Sequence, residues 1–330
     1  MTKTVSDKAC RAQARRKIGR LQTARLKPST IIKYCTNLLF FLDWIEINIG
    51  YLPTEARDLS ECLCEFGEFC WAEGEGLSRF ADVLSALPHV MRNIRGMFKD
   101  AWVLVDTWRM NEIPSRATPF SKKVLGALVG KCVLDDDWIF AASLLLAFQG
   151  MLRPCELLNL RVGDISLTKR GQDIIVNLGL TKGGRRKGAE ETIVLSDRAL
   201  WSLLRLVNIN RKPGDPFLDL KSHVFRRRFA ELLSFCGLDG LGYMPYSLRR
   251  GGATTLFRET ANLELVMVRG RWQSQRTARI YVNDGMAAEK EEHFSATTDS
   301  ELASLGDLTR LAINTLCPRS GGSRHVGVRG

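Results

Sequence analysis

Paired metal ligands are missing from this 330-residue chain. It has four histidines, at 89, 223, 293 and 325, and nine cysteines, at 10, 35, 62, 64, 70, 132, 155, 236 and 317, with no repeated paired spacing. The densest group is Cys62-Leu63-Cys64 with Cys70, and no second His or Cys pair follows it at a zinc-like interval. No metal and no other cofactor is therefore expected. The thiols read as free groups, buried or half-buried, in a reducing compartment. Long apolar runs are also missing. The longest uncharged stretch, Trp138 to Leu152, falls short of the ~20 residues of a membrane span and reads as a buried core helix. The N-terminus is polar and basic, so no secretory leader and no membrane partner are expected. Internal repeats are absent.

Acidic residues are in the minority. Lys and Arg number 48 against 36 Asp and Glu, a formal charge of +12. That excess favours a polyanionic partner without identifying it. It is steepest in residues 1–27, where nine basic residues stand against Asp7 alone. This arm reads as a solvated, partly disordered tail, a basic helix on a phosphate backbone, or a localisation signal.

The length suggests about two domains. Pro28-Ser29-Thr30 signals a helix start before a helically spaced apolar stripe from Ile31 to Trp44. Helices are expected at about 59–72 and at about 80–108, the second interrupted at Pro88, so 28–112 reads as all-helical. Arg116-Ala117-Thr118-Pro119-Phe120 looks like a linker into a second domain spanning 118–305. There, helical patterns at about 121–131, 137–149 and 154–160 precede two β-rich runs, Asp173 to Leu178 and Glu191 to Leu195, which read as a hairpin. Further helices are expected at about 197–207, 221–236, 247–259 and 262–268. Asp307 starts a short amphipathic run through Leu316, and 306–330 otherwise reads as a disordered tail. The fold class is mainly α with a small β-hairpin or sheet, an α+β chain.

Four segments carry the chemistry. They are Gly150-Met151-Leu152-Arg153-Pro154-Cys155-Glu156-Leu157, the loop Thr181-Lys182-Gly183-Gly184-Arg185-Arg186-Lys187, Tyr246-Ser247-Leu248-Arg249-Arg250-Gly251-Gly252, and the stretch from Gly270 to Tyr281. Taken singly, each has a bland reading. Arg153 is a helix-start arginine with an acid three residues on. The loop is solvated charge, Trp272 fills a core, and Tyr281 is a packing residue.

In this order and spacing, the segments resemble the tyrosine recombinase (phage integrase) family. The resemblance is strong over about 118–295 and loose over 28–112. It implies that Tyr281, nine positions after Trp272, is a nucleophile that forms a covalent link to a DNA 3′ phosphate. It implies Arg153 and Arg249 as the two phosphate-clamping arginines, always charged and able to fork onto two oxygens. Lys182 would be the acid for the leaving 5′ oxygen, Trp272 a donor-only hydrogen-bonding group beside the nucleophile, and Glu156 an anchor that orients Arg153 or its helix. Arg185, Arg186, Lys187, Arg226, Arg227 and Arg250 are the further DNA-contact candidates. One position departs from the family: Tyr246 stands where a histidine is usual. A phenol with a pKa near 10 donates a hydrogen bond readily but is a poor base at neutral pH.

The resemblance implies a site-specific DNA recombinase or integrase with double-stranded DNA as partner, acting inside the cell on DNA. A helical DNA-gripping domain and a catalytic domain would clamp the duplex. A homo-tetramer would assemble through the C-terminal helix, Leu308 to Leu316. Two rival readings are a monomeric type IB topoisomerase-like enzyme and a non-catalytic DNA-binding relic, the second supported only by the absent histidine.

Overall fold

The structure is a computed structural model that describes residues 12–13, 15–16, 26–91, 94, 96–168, 173–179, 181, 184 and 188–316. Most of the basic arm, the tail after Leu316, and Lys182, Arg185, Arg186 and Lys187 lie outside the described residues. The chain divides into two units, Met1–Ser115 and Arg116–Gly330.

The first unit is helical. Helix α1 (Pro28–Asn48) begins with proline in its first turn, where the missing N–H costs nothing. It is followed by α2 (Ala56–Ala72), α3 (Leu77–Val90) and α4 (Lys99–Asn111). The core is aromatic. Phe66 lies 4.8 Å from Phe41, 5.4 Å from Trp44 and 6.2 Å from Phe80 between ring centroids. The long helix expected over 80–108 is two helices, and Pro88 does not cause the break. It sits in the last turn of α3, and the chain leaves the helical conformation only at Met91.

The second unit begins with α5 (Lys122–Leu134), α6 (Trp138–Gln149) and α7 (Pro154–Asn159). Ser121 and Asp137 cap α5 and α6 by accepting from the amides of Val124 and Phe140, each at 3.2 Å. Helix α6 is buried from Phe140 to Phe148, which is why its sequence carries no charge. A three-stranded antiparallel sheet follows, β1 (Ile165–Leu167), β2 (Asp173–Gly179) and β3 (Glu191–Ser196), in the order β1-β2-β3. The hairpin expected from sequence is β2 with β3. The added strand β1 is three residues long, too short for alternation to mark it. Then come α8 (Arg198–Val207), α9 (Ser222–Phe235), α10 (Tyr246–Thr260), α11 (Leu263–Gly270), α12 (Gln275–Tyr281), α13 (Asp284–Glu292) and α14 (Ala296–Leu316).

Helix α14 is continuous through Asp307, so a segment boundary at 305/306 falls inside it. It packs on α5 of its own chain. Leu302 and Leu305 are buried, and the Thr309 hydroxyl donates to the Gly126 carbonyl at 2.7 Å. A Cβ at Gly130 would come within 2.1 Å of the Leu305 carbonyl oxygen, so glycine there permits the contact. Leu308 and Leu311 remain exposed. Among the described residues no helix is long and apolar enough to cross a membrane.

Helix α10 runs in direct backbone contact with its neighbours. A Cβ at Gly251 would meet the Phe120 carbonyl oxygen at 2.3 Å, and one at Gly252 would meet the Phe148 carbonyl oxygen at 2.0 Å. The two glycines thus fix how deeply α10 sits and where its first turn points. We expect Gly252→Ala to force the helices apart and destabilise the second unit by about 1–3 kcal/mol. Chemical denaturation would measure it, and an unchanged midpoint would contradict the close packing.

Candidate active site

The first turns of α10 carry Tyr246, Arg249 and Arg250 into one region. Arg249 is fully buried, with a relative exposure of 0%. One terminal nitrogen donates to the Met151 carbonyl and the other to the Gly270 carbonyl at 2.6 Å. Its guanidinium carbon lies 4.6 Å from the Trp272 ring centre and 5.4 Å from that of Tyr281. Cation–π attraction offsets part of the cost of burying the charge. Burial, helped by the nearby charges of Arg153 and Arg271, lowers its pKa to about 10, so it stays charged at neutral pH.

Arg153 precedes α7, and Pro154 opens that helix. The Glu156 carboxylate turns back on it. One oxygen accepts from the Arg153 backbone N–H at 2.8 Å and the other pairs with the Arg153 guanidinium. The first oxygen also accepts from Arg271 at 2.6 Å. Burial alone would raise the Glu156 carboxyl. The charge of Arg271, then the Arg153 amide and guanidinium, outweigh it and hold the group below the usual carboxylate range. Burial also works against the charge of Arg153, and Glu156 more than compensates. Arg153 remains only half-buried, so it is the more accessible of the two arginines.

Tyr281 ends α12, a helix capped by the Ser274 side chain. Its hydroxyl is 2.8 Å from the Tyr246 hydroxyl, and its ring packs 4.4 Å from that of Trp272, tilted by 33°. Two groups from α10 hold its backbone. The Thr254 hydroxyl donates to the Tyr281 carbonyl at 3.2 Å, and Arg250 donates to the preceding Ile280 carbonyl at 3.2 Å. Arg250 also donates to the Ala117 carbonyl at 2.7 Å. The sequence placed Arg250 among the DNA contacts. With 3% exposure and both terminal nitrogens spent on carbonyls, it is a buried brace instead.

Arg153, Tyr246, Arg249, Trp272 and Tyr281 thus share one site, with Glu156 behind Arg153. Arg226 and Arg227 lie elsewhere, exposed on α9, where Arg227 faces Glu231 at 3.7 Å. The flanks of the β2–β3 connection do reach the site. The buried Thr181 hydroxyl donates to Glu191 at 2.6 Å, and the same Glu191 oxygen lies 3.3 Å from Arg271. Arg271 and Glu191 escaped the sequence reading. Arg271 lies inside the Gly270–Tyr281 segment, but only its conformation singles it out: its φ of 60° is left-handed, where glycine is usual. Among the described residues no group of three or more His, Cys, Asp or Glu side chains is placed to hold a metal ion.

The model of the phage integrase family matches residues 119–287, about half of the chain and wholly within the second unit. The chain belongs to the phage integrase family. No curated protein sequence matches it significantly. Solved structures match it by fold. The Tn1549 transposon integrase in complex with transposon right end DNA is 13% identical, with a TM-score of 0.55, over 91% of this chain and 98% of that one. A lambda integrase dimer bound to a COC′ core site is 16% identical, with a TM-score of 0.54, over 83% and 77%. The site-specific recombinase XerH bound to its difH substrate is 19% identical, with a TM-score of 0.53, over 80% and 79%. These TM-scores show a shared fold, mainly helical with a small antiparallel sheet. The family match makes this chain a site-specific tyrosine recombinase, an enzyme of DNA recombination and integration.

Proposed function

We propose that Tyr281 is the nucleophile that attacks the scissile phosphate of duplex DNA. The observation that carries the reading is the placement of the Tyr281 phenol, which touches Tyr246 and Trp272 and stands against the Arg249 charge. The Tyr281 phenol releases its proton to water as its oxygen bonds to phosphorus, the bond to the 5′ oxygen breaks, and Lys182 gives the leaving oxygen its proton and is recharged from water. The product is a 3′-phosphotyrosine and a free 5′ hydroxyl. Because one phosphoester replaces another, the reverse attack rejoins the strand without an external energy source.

Arg153 and Arg249 neutralise the non-bridging oxygens as charge builds on phosphorus, the kind of preorganised stabilisation that dominates many active sites. Arg249 is covered in this arrangement, so a phosphate reaches it when a group lying over it, such as the Tyr281 ring, shifts aside. Trp272 donates its indole N–H, and Glu156 holds Arg153. The helical region 28–112 grips the duplex, and exposed Arg226 and Arg227, with Arg185, Arg186 and Lys187, contact its backbone. Recombination proceeds in a tetramer, with the exposed Leu308 and Leu311 of α14 available to a neighbouring subunit. The protein acts inside the cell, with DNA.

Arginines and a lysine here take the part that metal ions play in two-metal nucleases. A nicked substrate that loses its 5′ fragment should therefore accumulate covalent protein–DNA adduct in excess chelator. Loss of the adduct in EDTA, with recovery on adding Mg²⁺, would overturn the mechanism.

A further inference from the structure

Arg271 has no part in the mechanism above, yet it is the most connected charge in the site. It is buried, and its side chain lies between two buried carboxylates, 2.6 Å from Glu156 and 3.3 Å from Glu191. Its terminal nitrogens also donate to the carbonyls of Gly150, Arg269 and Met151 at 3.2–3.3 Å, while the Nε nearest Glu191 makes an ion pair without an aligned hydrogen bond. The Met151 carbonyl also takes Arg249, and Glu156 also takes Arg153. A continuous series of alternating charges results: Arg153, Glu156, Arg271, Glu191.

The backbone points the same way. Arg271 ends α11 in the left-handed conformation, φ 60°, at the position where helices usually place glycine. The residue before it is glycine because the Trp272 ring folds back over it, and a Cβ at Gly270 would come within 2.0 Å of that ring. The turn thereby aims the Gly270 carbonyl at Arg249 and lays Trp272 against Tyr281. A glycine at 271 would suit this turn better. An arginine there makes sense for its planar fork, which can serve two carboxylates at once where a lysine ammonium acts as a point charge.

We propose that Arg271 is a positioning residue for strand cleavage: anchored on Glu191, it holds Glu156 against Arg153 and so fixes where the Arg153 guanidinium meets the phosphate. The inference rests on the reading of Arg153 as a phosphate clamp. Without Arg271, Glu156 loses its second cation and Arg153 loses its fixed orientation. DNA binding is retained.

A neutral scissile group provides the test, because a phosphate oxygen replaced by methyl no longer needs a cationic clamp. Cleavage by the full-length protein is measured on nicked duplexes carrying either the natural phosphodiester or each methylphosphonate stereoisomer. The ratio of the two rates does not depend on how much of a preparation is folded. Arg271→Lys should cleave the natural linkage roughly 10²-fold more slowly but the methylphosphonate at close to the wild-type rate, on the same stereoisomer that rescues Arg153→Ala. Equal loss on both substrates would make Arg271 a structural residue and overturn the inference alone. So would rescue only on the isomer that rescues Arg249→Ala. Failure of Arg153→Ala to be rescued on either isomer would overturn the clamp reading and the inference with it. Should Arg271→Lys not fold, Glu191→Gln carries the test: it is isosteric, and its rate ratio should shift in the same direction. An unshifted ratio overturns the proposal.

Discussion

A Tyr281→Phe protein should bind duplex DNA as the wild type does and form no covalent adduct. The substitution removes one oxygen. The ring contacts with Trp272 and Arg249 do not need it, and the lost hydrogen bond to Tyr246 contributes only about 1 kcal/mol to folding. The chemistry, in contrast, loses the atom that bonds to phosphorus. The measurement is an SDS-stable protein–DNA complex on a nicked substrate, with the attached tyrosine located by peptide mapping. Mapping matters because a second phenol lies 2.8 Å away on Tyr246. An adduct mapped to Tyr246, or one that survives in Tyr281→Phe, would reverse the assignment of the two tyrosines.

Tyr281 stood out in the sequence through the family resemblance, and chain geometry explains why the spacing that carries the resemblance is informative. Trp272 and Tyr281 are joined by one tight turn and one short helix, so their spacing nearly determines that the rings meet. The first turn of α10 is equally local: positions 246 and 249 fall on one helix face at any tertiary arrangement. Arg250 and Arg271 were not legible in this way. Each is adjacent to an assigned residue, and nothing in the local pattern tells a buried arginine from an exposed one. Their burial depends on where distant carbonyls point: Ala117 for Arg250, and Gly150 and Met151 for Arg271. Glu191 reads as an ordinary first residue of a strand, and only the sheet's position beside α11 gives it a charged partner. The break between α3 and α4 was masked for a related reason. The apolar pattern continues across it, and Ile94 and Phe98 enter the core from the connecting segment.

Arg249→Ala should reduce cleavage by far more than Tyr246→Phe, and the comparison decides what the unusual tyrosine does. Removing Arg249 takes away a preorganised charge from the phosphorane, a loss on the order of 10²–10³-fold or greater. It also takes a donor from the Gly270 carbonyl and from the Met151 carbonyl, which keeps only Arg271. Removing the Tyr246 hydroxyl deletes one neutral hydrogen bond, about 1 kcal/mol or roughly fivefold. Burial, with the Tyr281 hydrogen bond and charge, pushes the Tyr246 phenol from 10.0 up to about 12, against the pull of Arg249 and Arg153. The direction fixes the expected pH behaviour. A phenol whose pKa is raised in the folded state holds its proton more tightly there. Its share of stability is present below about 10 and lost as the pH rises through about 12. Tyr246 is thus neutral throughout the physiological range, where it can donate to the phosphate or bridge to Tyr281 but not accept a proton as a base. Cleavage should show no rise between pH 7 and 9 that disappears in Tyr246→Phe. A rise of that kind, with Tyr246→Phe as inactive as Arg249→Ala, would make the phenol the base. Tyr246→His tests the same point from the other side. An imidazole titrates near 6.5, so beside the Tyr281 hydroxyl it should equal or exceed the wild-type rate at pH 7 and give the rate a step near its own pKa. A folded but inactive Tyr246→His protein would mean that the site has been rebuilt around the phenol, with the Tyr246–Tyr281 hydrogen bond as part of the working geometry.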